Sequence, residues 1–521
     1  MISIILSYKR KFFIVFLFFF SIIVNYYYAS RGVFPQDSFL HFDSGYRILR
    51  GEAPFKDYWT VTAPLVDYLQ AFFFYLFGLN WKSYVLHASL FNSILTLSTY
   101  FVLRKFKLST NYSFIYSLFF CVLAYPSSGT PFVDHHSAFF SLLGIYSFLL
   151  AINNQRKLYW MIMPIFLGLA FLSKQVPAAY IILSVGFILF LYSINIREYN
   201  CIKYSLISSV FFVFCVLFFG KFQGIELSSF LDQYIFYPQA VGAERFKNLN
   251  FTYKGTIDHF KFIYLAIIPL FYVNFKKIFY KKNYIKHNDF YIFLSLFFLT
   301  FSLILSQQLT KNQTFIFFLI PILAAFSQIS LIGIKLKYKK LIYLFIVLIC
   351  LLTTIKYHLR FNEDRKFHEL QNVNFDLLID ARKIDEKLSG LNWISFQYKN
   401  NPEKEIDLIN QIQYYLKKDS RNKMVITNYS FFSIILNQNL FSPNRGFADD
   451  GTSHPLKGSE YAKKYEELMR YLIKKNKISV IYVVNSLDSR KIFHYVDLYK
   501  HCPQKIYIPK KLKSYDLENC S

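Results

Sequence analysis

The sequence has no P-loop, no convincing dinucleotide fingerprint and no Ser-His-Asp arrangement that spacing alone supports. It therefore offers neither the phosphate-cradling loop of a nucleotide hydrolase nor a recognisable serine nucleophile. Its six cysteines, Cys121, Cys201, Cys215, Cys350, Cys502 and Cys520, never form the close pairs that zinc needs. The first four fall in or beside apolar runs, where a thiol is a small apolar filler. Cys502 and Cys520 lie in a polar C-terminal stretch and could bridge in an oxidising compartment. Acidic residues are scarce, with 32 Asp and Glu against 59 Lys and Arg, for a net charge of +27. This excess does not mark a nucleic-acid-binding face. Of the basic residues, 32 precede residue 357, mostly in short loops between apolar runs, where only 12 acids accompany them. That distribution reports membrane topology, not a phosphate-tracking surface.

What the chain has in abundance is large apolar side chains: 54% of its 521 residues are hydrophobic, with 62 Phe and 42 Tyr. They come in long runs. A run of ~20 apolar residues spans a bilayer as a helix, which satisfies its own backbone hydrogen bonds. Runs at 12–29, 83–103, 113–126, 137–152, 158–173, 176–194, 204–220, 260–275, 289–306, 314–333 and 340–355 predict a polytopic α-helical membrane protein with about eleven transmembrane helices. The first run follows Lys9-Arg10-Lys11 and is read as an uncleaved helix rather than a signal peptide, because further spans follow it.

Orientation follows from the loop charges. With the N-terminus inside, the cytoplasmic segments hold 19 of the 32 membrane-half basic groups, and ten of the twelve acids fall outside. Two outer loops are then long, 30–82 and 221–259, and long loops in a compact protein usually carry function. The chain divides at residue 357. Residues 1–356 form the transmembrane unit. Residues 357–521 alternate strand-like stretches (Met424–Thr427, Ser479–Val484) with helical patterns (Glu403–Leu416, Glu460–Lys474), which predicts a small α/β domain outside the membrane.

An acid at the mouth of the first span is well placed for general-base work on a membrane-embedded substrate. Asp37 occupies that place, with Asp43 a turn and a half on; Asp57 and Asp67 read as ordinary solvated loop acids. The short outer loop after the third span reads Pro131-Phe132-Val133-Asp134-His135-His136-Ser137. Asp134 and His136 are candidate ligands of a divalent metal and His135 a candidate phosphate contact. The plain alternative is Asp134 as a helix cap beside wet interfacial histidines. Lys174, between two apolar runs, either snorkels to the interface or binds phosphate. Gln308, Lys311 and Asn312 lie in a loop dense in hydrogen-bonding groups that suits a donor or a sugar, or serves as a polar turn.

The first loop resembles that of the GT-C superfamily of polytopic glycosyltransferases, the group that includes protein O-mannosyltransferases and the lipid A aminoarabinose transferase. Their pattern is an Asp after the first helix, Gly-Glu or Gly-Asp about fourteen residues on, then Pro-Pro-Leu, and Phe-Gly before the second helix. Here Asp37 stands fourteen residues before Gly51-Glu52, followed by Ala63-Pro64-Leu65 and Leu76-Phe77-Gly78. Further along, Gly168-Leu169-Ala170-Phe171-Leu172-Ser173-Lys174 looks like the family's Gly-Leu-Ala-x-Leu-Thr-Lys stretch. Ser38 replaces a frequent Glu, and the lysine that often precedes the prolines is missing, so Arg47, Lys56 or Lys174 would have to bind the donor phosphate. The resemblance implies transfer of a sugar from a polyprenyl-phosphate donor to a lipid, glycan or protein hydroxyl at the outer face, with Asp37 as base.

Two other classes compete. A transporter or flippase of lipid-linked sugars would share the span count, yet such proteins tend to show paired repeats and midplane polar groups, neither of which is evident here. A sugar-chain polymerase or ligase would place its chemistry in the loop Lys221–His259, and would lose function on changing that loop but not Asp37. The Lys-, Asn-, Ile- and Phe-rich composition suggests a bacterial inner membrane, with the active face in the periplasm.

Overall fold

The apolar runs fold as helices, the arrangement that leaves no backbone group unpaired in hydrocarbon. The computed structural model describes residues 2–124, 129–310, 316–335, 337–363, 370–447, 451–484 and 512–516. Helix α1 (Ile2–Ala29) leads into a connection carrying α2 (Pro35–Ser38), α3 (Leu40–Leu49) and α4 (Pro64–Phe77). The bundle continues with α5 (Trp81–Lys105), α6 (Thr110–Ala124), α7 (Val133–Asn154), α8 (Lys157–Ser173), α9 (Gln175–Ile196) and α10 (Asn200–Phe222). A second long connection holds α11 (Leu227–Leu231), a π-helical turn at Asp232–Phe236, α12 (Tyr237–Lys247) and another π-helical turn at Tyr253–Asp258. Helices α13 (Lys261–Tyr280), α14 (Asn288–Thr310), α15 (Leu319–Ser330) and α16 (Lys339–His358) complete the bundle.

Among the described residues, eight helices are long and apolar enough to cross a bilayer. The chain is a polytopic helical membrane protein. The other three predicted spans, 113–126, 158–173 and 314–333, are helices α6, α8 and α15, of 15, 17 and 12 residues. At ~1.5 Å per residue they fall short of a ~30 Å hydrocarbon layer. Helix α7 is buried over nearly its whole length, whereas α10 is mostly exposed at the flank of the bundle. Close packing rests on small residues. A Cβ at Gly144 of α7 would lie 2.7 Å from the Leu167 side chain of α8, and one at Gly168 would meet the Phe212 ring of α10.

The C-terminal region is built on short strands: β1 (Ile379–Asp380) pairs antiparallel with β2 (Asn392–Trp393), and β3 (Lys423–Ile426) runs parallel to β4 (Val480–Val484), which pairs antiparallel with β5 (Leu512–Asp516). Helices α17 (Pro402–Lys418), α18 (Phe432–Leu436) and α19 (Ala462–Lys475) accompany them. Helix α17 starts where the Asn401 side chain accepts the Lys404 N–H, and it buries Ile406, Ile409, Ile412 and Leu416 at helical spacing. Cys502 and Cys520 lie outside the described residues; Cys121, Cys201, Cys215 and Cys350 are free thiols.

This region grips the first connection. The exit of α1 runs alongside β2: Gly32 N–H donates to Asn392 O (2.9 Å), Val33 N–H to Ile394 O (2.9 Å), and Asn392 N–H to Ser30 O (2.8 Å). Gly32 has φ +68°, and a Cβ there would meet Leu370 and Ile394 at 3.0 and 3.2 Å, so only glycine fits. Phe39 then packs against Trp81, Trp393 and Phe431.

Candidate active site

Asp37 sits on α2, one short turn that Pro35 starts and the Ser38 hydroxyl caps by accepting the Phe34 N–H (3.0 Å). Its carboxyl is enclosed by protein on most sides yet keeps some solvent exposure. Among the described residues it has no hydrogen-bond partner; its nearest charged neighbours are Asp134 and Lys174. Burial, and secondarily the Asp134 charge, push its pKa up to about 6, and Lys174 partly offsets them. Three residues that lie 37 to 174 in the chain thus form one electrostatic cluster.

Lys174 stands in the break between α8 and α9, with extended backbone, and its Nζ donates to Asp134 Oδ1 at 2.6 Å. Asp134 lies in the first turn of α7, where the helix N-terminus favours an anion. It does not cap that helix. The cap position is Phe132, whose side chain makes no capping bond, so the plain helix-cap reading of Asp134 is corrected.

Lys174 also lines a cavity of about 890 Å³. Its other walls are Val61 and Thr62 of the first connection, Gln175 and Tyr180 of α9, Thr310 of α14, and α12 with Arg245 and Lys247. The walls are tied together. Gln175 Nε2 donates to Val61 O (2.7 Å) and Tyr234 O (2.6 Å), and the Tyr234 hydroxyl donates to Phe171 O. Three cations therefore line one cavity, and one of them, Lys174, belongs to the Asp37 cluster. Arg245 and Lys247 were missed in the sequence, although the run Glu244-Arg245-Phe246-Lys247 in a long outer loop was a visible signal.

A separate apolar groove of about 510 Å³ runs between α13 and α14, lined by the exposed Ile268, Phe271, Phe275, Phe297 and Phe301, with Gln308 also in its wall. The last turn of α14 joins it to the cavity: Leu305 and Gln308 line the groove, Leu309 and Thr310 the cavity.

The remaining sequence candidates lie elsewhere. Asp43 is buried on the face of α3 toward α18. Burial pushes its pKa up, countered by Arg47 and by a hydrogen bond with Ser433. Arg47 is also buried. It pairs with Glu52 (2.6 Å), donates to Ser442 O (2.7 Å) and lies 4.2 Å from the Tyr58 ring centre, so it joins the first connection to the C-terminal region and does not face the cavity. Lys56 donates to Gln223 O (3.3 Å) and lines a different cleft. Gln308 donates to Gly255 O (2.8 Å). Lys311 and Asn312 lie outside the described residues.

Asp57 and Asp67, expected to be solvated, are buried. The Asp57 carboxylate accepts from Lys475 Nζ (2.5 Å) and Ala53 N–H (2.9 Å). Asp67 accepts from the Ser44 hydroxyl (2.5 Å), contacts His41 Nδ1 (2.6 Å) and pairs with Arg445 (3.1 Å). Burial drives Asp67 upward, but Arg445, His41 and Ser44 overcome it and hold its pKa below the usual carboxylate value. Nothing local distinguishes these acids from exposed ones; their cationic partners Lys475 and Arg445 lie hundreds of residues away.

The residues proposed for a metal do not fit one. Asp134 is engaged by Lys174. His136 donates from Nδ1 to Phe132 O (2.9 Å), and its Nε2 meets His87 Nε2 (3.1 Å). His135 is buried beside the Phe132 and Phe139 rings. Among the described residues no three His, Cys, Asp or Glu side chains gather as a ligand set.

Residues 61–219 match the family model described as dolichyl-phosphate-mannose-protein mannosyltransferase. No curated protein matches the chain. The matched span covers Asp134 and Lys174 but begins after Asp37. That family is of the GT-C type, and the similarity, together with the polytopic helical bundle, implies a membrane glycosyltransferase that uses polyprenyl-phosphate sugar donors.

Proposed function

We propose that this GT-C-type membrane glycosyltransferase moves a sugar from a polyprenyl-phosphate donor to an acceptor hydroxyl at the outer face of a bacterial inner membrane. Asp37 is the general base. The observation that carries this reading is the coupling of Asp37 to Lys174: a carboxyl with a pKa raised to about 6 feels the charge of a lysine that itself lines a cavity with two further cations. A base with a pKa just below the working pH combines correct protonation with useful basicity.

In the proposed step the acceptor oxygen attacks the anomeric carbon and gives its proton to an Asp37 oxygen. The bond from that carbon to the phosphate oxygen breaks, and its electron pair leaves with the polyprenyl phosphate. Charge grows on the leaving phosphate, and Lys174, Arg245 and Lys247 are placed to stabilise it. Lys174 is already paired with Asp134, so it is held in position before the donor arrives. The apolar groove along α13 and α14 supports the reading, since a prenyl chain there would bring its phosphate to the last turn of α14 and the cavity mouth. The outward placement of this face rests on the bias of Lys and Arg toward the opposite loops.

The test is a transfer assay in membranes with a panel of radiolabelled polyprenyl-phosphate sugars, comparing wild type with Asp37→Asn at equal expression. Loss of a general base should lower transfer by ~10²–10⁴-fold. Transfer that persists in the variant would remove Asp37 from this role. Because Arg245 and Lys247 belong to the Lys221–His259 loop, loss on changing that loop favours a polymerase or ligase of another design only when Asp37→Asn leaves transfer intact.

A further inference from the structure

A second polar cleft, of about 460 Å³, opens between the first connection, the second connection and α19. We propose that it binds a neutral oligosaccharide, the acceptor chain of the transfer reaction, which makes the acceptor a glycan. This rests on the glycosyltransferase reading above.

The chemistry of the walls points to that ligand. The cleft carries Glu226, Asp232 and Glu467 as acceptors, and Lys56 and Lys464 as donors. The charges largely cancel within it: Lys464 pairs with Asp232 at 2.6 Å, and Lys56 is held by Gln223 O at 3.3 Å. Such a site offers fixed donors and acceptors without a strong field of either sign. It suits a polyhydroxylated neutral molecule better than an anion, for which the cavity with three cations is the better host. The cleft also has an exposed aromatic platform in Tyr471, with the buried Trp59 at its floor. A pyranose ring has a C–H face that packs on an aromatic ring while its rim hydroxyls reach carboxylates and amines. Lys464, Glu467, Leu468 and Tyr471 repeat at helical spacing along one face of α19, and Tyr471 is 46% exposed.

The position relates the cleft to the reaction. Trp59 lines the cleft, and two residues on Val61 lines the cavity of Lys174; likewise Gln233 lines the cleft and Ile235 the cavity. The two spaces therefore share a wall about two residues thick, ~7 Å if extended. A glycan seated in the cleft and reaching over the edge of that wall would bring its terminal hydroxyl to the cavity. The wall is fixed, since Gln233 accepts the Thr60 N–H (3.1 Å) and donates to Phe55 O (2.9 Å). A π-helical turn supplies Asp232 and Gln233, and such turns are frequent at functional sites.

The experiment is calorimetric titration of the full chain in lipid nanodiscs with maltotetraose, chitotetraose and mannotetraose, and with the corresponding monosaccharides. At least one tetrasaccharide should bind, about 10-fold or more tighter than its monosaccharide, and Tyr471→Ala or Glu467→Gln should each weaken it about 10-fold, the loss expected of one aromatic or charge-assisted contact. Both side chains are exposed, so both variants should fold. Absence of binding by all three tetrasaccharides, or binding unchanged in both variants, overturns the proposal. The readout is independent of transfer. Binding without sugar transfer would sink the enzyme reading alone, whereas transfer to a peptide or lipid acceptor with no oligosaccharide binding would sink this one alone.

Discussion

Replacing Asp134 by Asn should move the acid limb of the transfer profile to lower pH, and replacing Lys174 by Met should move it to higher pH. The Asp37 carboxyl titrates at about 6 instead of 3.8, chiefly because of burial, then because of Asp134, with Lys174 opposing both. As the proposed base, Asp37 must be ionised to accept a proton, so wild-type kcat/KM should fall about tenfold per pH unit below that value. Asp134→Asn removes a like charge and releases Lys174, and both changes favour the ionised form. Lys174→Met removes the opposing cation and leaves Asp134 uncompensated, and both changes favour the protonated form. A neighbouring charge at contact range is typically worth ~1 pKa unit or more, so limbs near 5 and 7 are expected. The donor is a phosphodiester and keeps one charge over this range, so the limb belongs to the enzyme. The assay is kcat/KM for transfer between pH 4.5 and 8.5 in nanodiscs. Two variants that shift in the same direction, or a limb that stays in place in both, would refute the cluster as the setting of the base.

The same shift implies a stability effect. The folded pKa of Asp37 exceeds the unfolded one, so the ionised group destabilises the fold above pH 6 by on the order of 2–3 kcal/mol. Asp37→Asn should raise the midpoint of thermal unfolding at pH 8 and much less at pH 4, and an unchanged midpoint at pH 8 would count against the burial. Arg445→Ala should do the reverse. It leaves Asp67 buried without its cation, which typically costs ~3–5 kcal/mol, and a loss under ~1 kcal/mol by the same melt would contradict the network. Because Asp67 is held below its ordinary 3.8, its contribution is full above that pH and is lost as the pH falls through the folded value. Gly45→Ala should destabilise by about 1–3 kcal/mol, because a Cβ there meets Gln70 Cγ at 2.8 Å and Ala71 N at 3.2 Å, and α3 and α4 must part. Wild-type-like melting of that variant would show that the two helices have slack.

The helices were legible because one physical demand, backbone pairing in hydrocarbon, acts on every residue of a run. Each of the eleven predicted segments overlaps a helix, and the errors concern length, as in α15. The strands at Lys423–Ile426 and Val480–Val484 were legible from short β-branched runs. The cations were not. Arg47, Lys56 and Lys174 are equally basic in the sequence, yet their surroundings differ completely. Arg47 reads the carbonyls of Ser442 and Asn444, Lys56 reaches Gln223, and only Lys174 stands beside Asp37.

The sequence by itself determined that this is a polytopic helical membrane protein, because run length and polarity act locally and leave few alternatives. The tertiary structure decided which charges meet. It set Asp134 and Lys174 beside Asp37, brought Arg245 and Lys247 of the second long connection to the cavity that Lys174 lines, and buried Asp67 against Arg445. Those choices depend on how helices and loops pack over long separations, and an ion pair inside a fold reflects its surroundings more than its own residue types.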